Sequence, residues 1–134
     1  MVQNVQFELV DEKGEQTDRV RTGDSVAFQF SFEAPTQIND LEIAVGLYSQ
    51  DGRCMTGINS GADKVRLQQI KGHISGSLQI PQLTFYPGNY IAALVILNKG
   101  AILYRDPRLL FTVEYEKPYW GILQLDHTWE LTVE

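Results

Sequence analysis

The stretch Tyr86-Pro87-Gly88-Asn89-Tyr90 leads into an almost wholly apolar run, residues 91–97, and Asn98-Lys99-Gly100 then turns the chain again. Pro87 presets the φ angle of a turn and Gly88 tolerates the conformations that a turn demands. The pattern is that of a tight corner feeding a central strand. A tyrosine just past such a corner can fold its hydroxyl back onto the corner and bond backbone that would otherwise go unpaired. If Tyr90 points inward, period two sends Ala92, Leu94 and Ile96 inward as well. Ile91, Ala93, Val95 and Leu97 then face outward, and so apolar a face calls for a cover.

Other segments repeat the period of two. Val5, Phe7 and Leu9 alternate with Gln6, Glu8 and Val10 in the first strand. After the turn Arg21-Thr22-Gly23-Asp24, Val26, Phe28, Phe30 and Phe32 oppose Ala27, Gln29, Ser31 and Glu33, the clearest amphipathic strand of the chain. Ala34-Pro35 and a polar loop through Asp40 are expected to separate it from the next strand, where Leu41, Ile43, Val45 and Leu47 alternate with Glu42, Ala44, Gly46 and Tyr48. Asp51-Gly52 closes that strand with a hairpin signal. Between Arg53 and Lys71 the pattern weakens to a short edge strand and an exposed loop. Ile74, Gly76, Leu78 and Ile80 restore it, with Ser75, Ser77 and Gln79 outward. A short strand at Ile102-Leu103-Tyr104 and another through Leu109, Phe111, Val113 and Tyr115 follow, and Glu116-Lys117-Pro118 links to a last segment from Tyr119 to Leu131. No dozen residues show a helical period. Eight or nine strands in two antiparallel sheets are predicted, an all-β sandwich of immunoglobulin-like or jelly-roll type.

The 134 residues suit one domain able to bury a core without staples. A formal charge of -6 and a pI near 4.8 argue against nucleic acid or an anionic membrane surface, both of which need a basic footprint. The single cysteine, Cys54, excludes an internal disulfide and is compatible with a reducing cytosol. The first residues lack the basic start and apolar run of a signal peptide, and no segment approaches the ~20 apolar residues of a membrane-spanning helix.

The order of turns and strands resembles a known family. The sequence carries Gly14, Arg21-Thr22-Gly23-Asp24, Ala44-Val45-Gly46-Leu47-Tyr48-Ser49-Gln50-Asp51-Gly52, Thr56-Gly57-Ile58-Asn59-Ser60, Phe85-Tyr86-Pro87-Gly88-Asn89-Tyr90 and Leu110-Phe111-Thr112-Val113, in that order. It resembles the C-terminal domain of the ATPase subunit of O-antigen ABC transporters, the Wzt type. The tail Trp120-Gly121-Ile122-Leu123-Gln124-Leu125-Asp126-His127-Thr128-Trp129 resembles the segment that ends those proteins. The resemblance implies that residues 1–134 are a single β-sandwich carbohydrate-binding domain that recognises exported O-polysaccharide in the cytoplasm, often through its capped non-reducing end. It also implies a homodimer in which the tail, residues 119–134, is an exchanged strand. The partner of such a module is the transporter's membrane subunit, reached through a nucleotide-binding domain. That domain is not in this chain, which has no Gly-x-x-x-x-Gly-Lys-Ser/Thr loop to hold phosphates. The chain is therefore expected to be an excised domain or a separate module.

Sugar recognition asks for an aromatic platform flanked by amides, carboxylates or arginine. The candidates are Gln29, Ser31 and Glu33 on the outward face of the second strand, with Tyr48, Asn59, Tyr104, Arg105 and Trp120 elsewhere. Each has a plainer structural reading. The first three would form a solvated strand face, and Tyr48, Tyr104 and Trp120 would pack under a loop or partner strand. Arg105-Asp106 would be a turn-stabilising ion pair, and Asn59 a turn former. Catalysis finds little support. His73 and His127 have no metal-ligand spacing, no Gly-x-Ser-x-Gly elbow is present, and Cys54 beside Met55 reads as a small apolar residue. No cofactor or metal is expected. A structural dimerisation sandwich is the alternative to glycan binding, and a glycoside hydrolase with paired carboxylates comes third.

Overall fold

The computed structural model describes residues 1–114 and 128–132. Its strands are β1 (Gln3–Val10), β2 (Arg19–Arg21), β3 (Val26–Ser49), β4 (Cys54–Asn59), β5 (Leu67–Ile80), β6 (Gly88–Asn98) and β7 (Ala101–Glu114), and no helix occurs among the described residues. The architecture is the predicted all-β one, a sheet that curls over on itself. β2 departs from the antiparallel expectation, pairing parallel to β7 over Arg19–Arg21.

The 24-residue β3 joins both layers. Its first half, Val26 to Ala34, lies between β1 and β5, and its second half, Leu41 to Ser49, lies between β4 and β6. The register shifts between Ala34 and Ile38. Pro35 stands in that interval and has no N–H to donate to a ladder, which suits a point where the strand changes neighbours. The polar loop expected through Asp40 is thus a bend within one continuous strand. Likewise, the two short strands expected around Arg105-Asp106-Pro107 are one strand, β7, with a register shift opposite Ala92 and Leu94. β5 begins at Leu67 rather than Ile74, because Ile38, Asp40 and Leu41 supply pairing partners for Ile70, Gln68 and Leu67.

Packing follows from period two. Leu9, Val26 and Phe28 from one layer meet Val45, Leu47, Tyr90, Ala92, Phe111 and Val113 from the other in a single buried cluster. The Phe28 ring meets Phe111 edge-on with centroids 6.0 Å apart, and Tyr90 stacks on Phe111 at 5.7 Å. Full burial of a side chain such as Phe28 contributes about 1.5–3 kcal/mol. A second cluster of Phe32, Ala34, Ile38, Leu41, Leu94 and Ile96 fills the other end.

The corner forms as the sequence predicts, with the Tyr90 hydroxyl donating to the Tyr86 carbonyl at 2.6 Å. Ala92, Leu94 and Ile96 are fully buried, whereas Ile91, Val95 and Leu97 on the opposite face are only half-buried. Ala93 breaks the expectation of an outward, uncovered position, being fully buried. It pairs with Gly46, against which the Tyr48 ring lies. Most of the tail expected to cover this face, including Tyr119 to His127, lies outside the described residues. Trp129 and Leu131 are 79% and 84% exposed, so neither side chain is buried against it.

Candidate functional site

Pairing of β1, β3 and β5 brings polar side chains from three distant segments onto one surface. Opposite residues in antiparallel strands share a face, so register alone builds the arrangement. One row is Gln3, Glu33 and His73, the next is Gln6, Ser31 and Ser75, and the third is Glu8, Gln29 and Ser77. Phe28 and Phe32 of the same strand point the other way into the core, which is why this face is free to be polar. The last two rows line a shallow depression of about 400 Å³.

Amides, hydroxyls, carboxylates and an imidazole give this surface both donors and acceptors at strand spacing, about 4.8 Å between neighbouring strands. Glu33 and His73 are linked, Oε1 to Nδ1, at 3.0 Å. Ser31 Oγ stands 3.5 Å from Gln6 Oε1, too long for a strong bond, so these groups are largely uncommitted. No serine hydroxyl hydrogen-bonds to His73 among the described residues, and no cluster of three or more His, Cys, Asp or Glu there could hold a metal. The arrangement can bind a hydroxyl-rich surface by many weak bonds.

The other sequence candidates do not join it. Tyr48 lies on the outer face of the second layer. Its ring is so close to Gly46 that a β-carbon there would stand 2.9 Å from Cε2. Asn59 is the turn former of its plainer reading, its Oδ1 accepting from the backbone N–H of Gly61 at 2.7 Å and of Ala62 at 3.3 Å. Tyr104 packs against the second core cluster and donates its hydroxyl to Asp106 Oδ2 at 2.9 Å. Burial, and then the Asp106 bond, push its pKa up. The expected Arg105–Asp106 ion pair does not form. Asp106 is held instead by Arg108, with Nε to Oδ1 at 2.7 Å and Nη2 to Oδ2 at 2.8 Å, because residues two apart on a strand share a side whereas neighbours do not. Those bonds lower the Asp106 pKa to about 2. Arg105 is exposed, and Trp120 lies outside the described residues.

Sequence reasoning named Gln29, Ser31 and Glu33 as candidates but not the residues that pairing sets beside them, Gln3, Gln6, Glu8, His73, Ser75 and Ser77. The outward parity of Gln6, Glu8, Ser75 and Ser77 was readable. Which strands stand side by side was not.

A second concavity, about 340 Å³ and mainly apolar, opens on the inner side of the β4 and β5 edges, with Phe30, Ile43, Val45, Ile58, Ile74 and Leu78 in its lining. Phe30 lies over Gly76 there, and a β-carbon on Gly76 would stand 2.9 Å from the ring. Among the described residues no helix is long and apolar enough to cross a membrane.

Comparison with known proteins bears on this geometry. The family model described as the Wzt C-terminal domain matches residues 2–125. Among solved structures, one titled as the C-terminal domain of Wzt superposes with a TM-score of 0.80 at 12% identity, covering 97% of this chain and 85% of the other. That likeness is one of fold. The CARDB domain of the PF1109 protein from Pyrococcus furiosus, in complex with di-metal ions, aligns at a TM-score of 0.48 and 9% identity over 83% of this chain and 88% of the other, too distant to bear on function. Comparison with curated proteins returned no match.

Proposed function

The chain belongs to the Wzt C-terminal domain family, and from that premise we propose that it is a non-catalytic module that binds O-antigen polysaccharide on the polar outer face of β1, β3 and β5. The observation that carries this reading is the three-by-three array from Gln3 to Ser77, in which hydroxyl, amide and carboxylate groups project from adjacent strands. Strands hold the backbone beneath these groups at fixed spacing, so only side-chain rotamers have to order when a glycan docks. The role is recognition and orientation, conferring substrate specificity on an ABC transporter during lipopolysaccharide assembly. In this reading, residues 1–134 work as one unit in the cytoplasm at the inner membrane. The partners are the polysaccharide, the transporter's nucleotide-binding and membrane parts, and a second copy joined through the tail of residues 119–134.

Calorimetric titration of the protein with lipid-free O-polysaccharide of its source strain tests the binding. Saturable heat that is lost in Gln29→Ala/Ser31→Ala supports the reading, and absence of saturable binding overturns it.

A structural role is the second reading. It is favoured by β7, whose Ile102 and Leu110 are 61% and 63% exposed, and by their cross-strand partners Leu97 and Ile91. An apolar face of this kind suits the joining of subunits.

A further inference from the structure

We propose that the β1-β3-β5 face selects a polysaccharide stretch free of acidic groups, and that Glu8 and Glu33 set this selectivity. The inference rests on the glycan-binding reading of that face and adds the class of sugar it takes.

The nine side chains of the array include two carboxylates and no lysine or arginine. Surfaces that recognise uronates, phosphates or sulfates use guanidinium or ammonium groups, because a bidentate or point positive charge offsets the lost hydration of the anion. Nothing of that kind is present here. His73 is the one group in the array able to carry positive charge, and its Nδ1 is already turned to Glu33. Lys71 is the nearest lysine along β5, but it lies beyond Gly72, whose φ of +100° interrupts the regular strand.

Three of the arginines outside the array are already neutralised by carboxylates. Arg19 pairs with Glu114, Arg66 with Asp40 and Glu42, and Arg108 with Asp106. With a formal charge of -6 on the chain, the long-range field repels an approaching polyanion as well.

The carboxylates also have a positive task. Glu8 stands opposite Gln29, and Glu33 lies four residues further along the same strand. That places them about 13 Å apart along the strand direction. A carboxylate accepts two hydroxyl donors at once, which suits a sugar diol, and repels a carboxylate or phosphate in the same position. An uncharged polysaccharide meets acceptors at both ends of the array, and amides and hydroxyls in the middle.

The test uses one polysaccharide in three forms, so that charge is the variable. These are the O-polysaccharide of the source strain, the same material with primary hydroxyls oxidised to carboxylates, and the methyl ester of that oxidised form. Titration is done at 20 mM and 500 mM NaCl with the wild-type protein and with Glu8→Gln/Glu33→Gln. The expected result is at least tenfold weaker binding of the oxidised form at low salt. Binding should recover in the ester, recover partly at high salt, and differ less between parent and oxidised forms for the double variant. Equal or tighter binding of the oxidised form, no recovery in the ester, or an unchanged gap in the double variant would overturn the selectivity while leaving glycan binding in place. A parent polysaccharide that is itself polyanionic and binds best at low salt would also overturn it. No binding of any form removes the glycan-binding reading, and the selectivity with it.

Discussion

The Tyr90 hydroxyl lies 2.6 Å from the Tyr86 carbonyl oxygen, closing the corner from which β6 enters the centre of the sheet. Tyr90 is 6% exposed and the bond it makes is part-buried, so water replaces it only in part. Tyr90→Phe keeps the ring and its stacking on Phe111 but removes that bond. A loss of about 1–3 kcal/mol is expected by urea unfolding, with the fold retained by circular dichroism.

Gly61 is held against the Glu42 carboxylate, which bonds to Arg66 at 2.6 Å. A β-carbon at Gly61 would stand 2.4 Å from Glu42 Oε2, whereas one at Gly57 would meet nothing within 4 Å. Gly61→Ala should therefore destabilise by about 1–3 kcal/mol by forcing the carboxylate away from Arg66. Gly57→Ala should be neutral or stabilise by up to about 1 kcal/mol. Thermal melting of the pair checks both, and equal melting temperatures would show that the Gly61 contact carries no energetic weight.

Asp106 couples stability to pH through Arg108. Its pKa is lowered to about 2 in the fold from an ordinary 3.8, so it binds a proton less readily folded than unfolded. The resulting stabilisation is fully present above about pH 4 and is lost as pH falls through about 2. Arg108 is 84% exposed, so solvent screening keeps the contribution small. Comparing wild type with Asp106→Asn by denaturant titration should show that difference at pH 7 and little at pH 2. A constant difference across the range would assign it to packing.

Gln29→Ala and Ser31→Ala alter an exposed and a half-buried strand position and should change stability by less than about 0.5 kcal/mol. Each should weaken glycan binding severalfold in the calorimetric titration. Tyr48→Ala, on the other layer, should leave that affinity unchanged. An affinity loss in Tyr48→Ala alone would move the site to the second layer.

The tail is tested by mass. A chain ending at Glu116, measured by light scattering, should be monomeric where the full chain is dimeric. A dimer in both would remove residues 117–134 from the interface.

Local chemistry determined much of this protein from sequence alone. Period two sorted Val26, Phe28 and Phe32 from Gln29 and Ser31, and Pro87-Gly88 with Tyr90 announced the corner, because side-chain alternation and turn preference act over a few residues. The same signals could not show that Ala34-Pro35 bends a strand without ending it, since that depends on β5 and β6 supplying new partners on either side. Nor could they show that Arg105-Asp106-Pro107 lies within one strand, where Asp106 shares a side with Arg108, or reveal Ala93 as a buried position opposite Gly46. Only the tertiary structure set Gln29 between Glu8 and Ser77. Strand neighbours are chosen by the burial of whole faces, and nothing local in any one of the three strands records which other two will lie beside it.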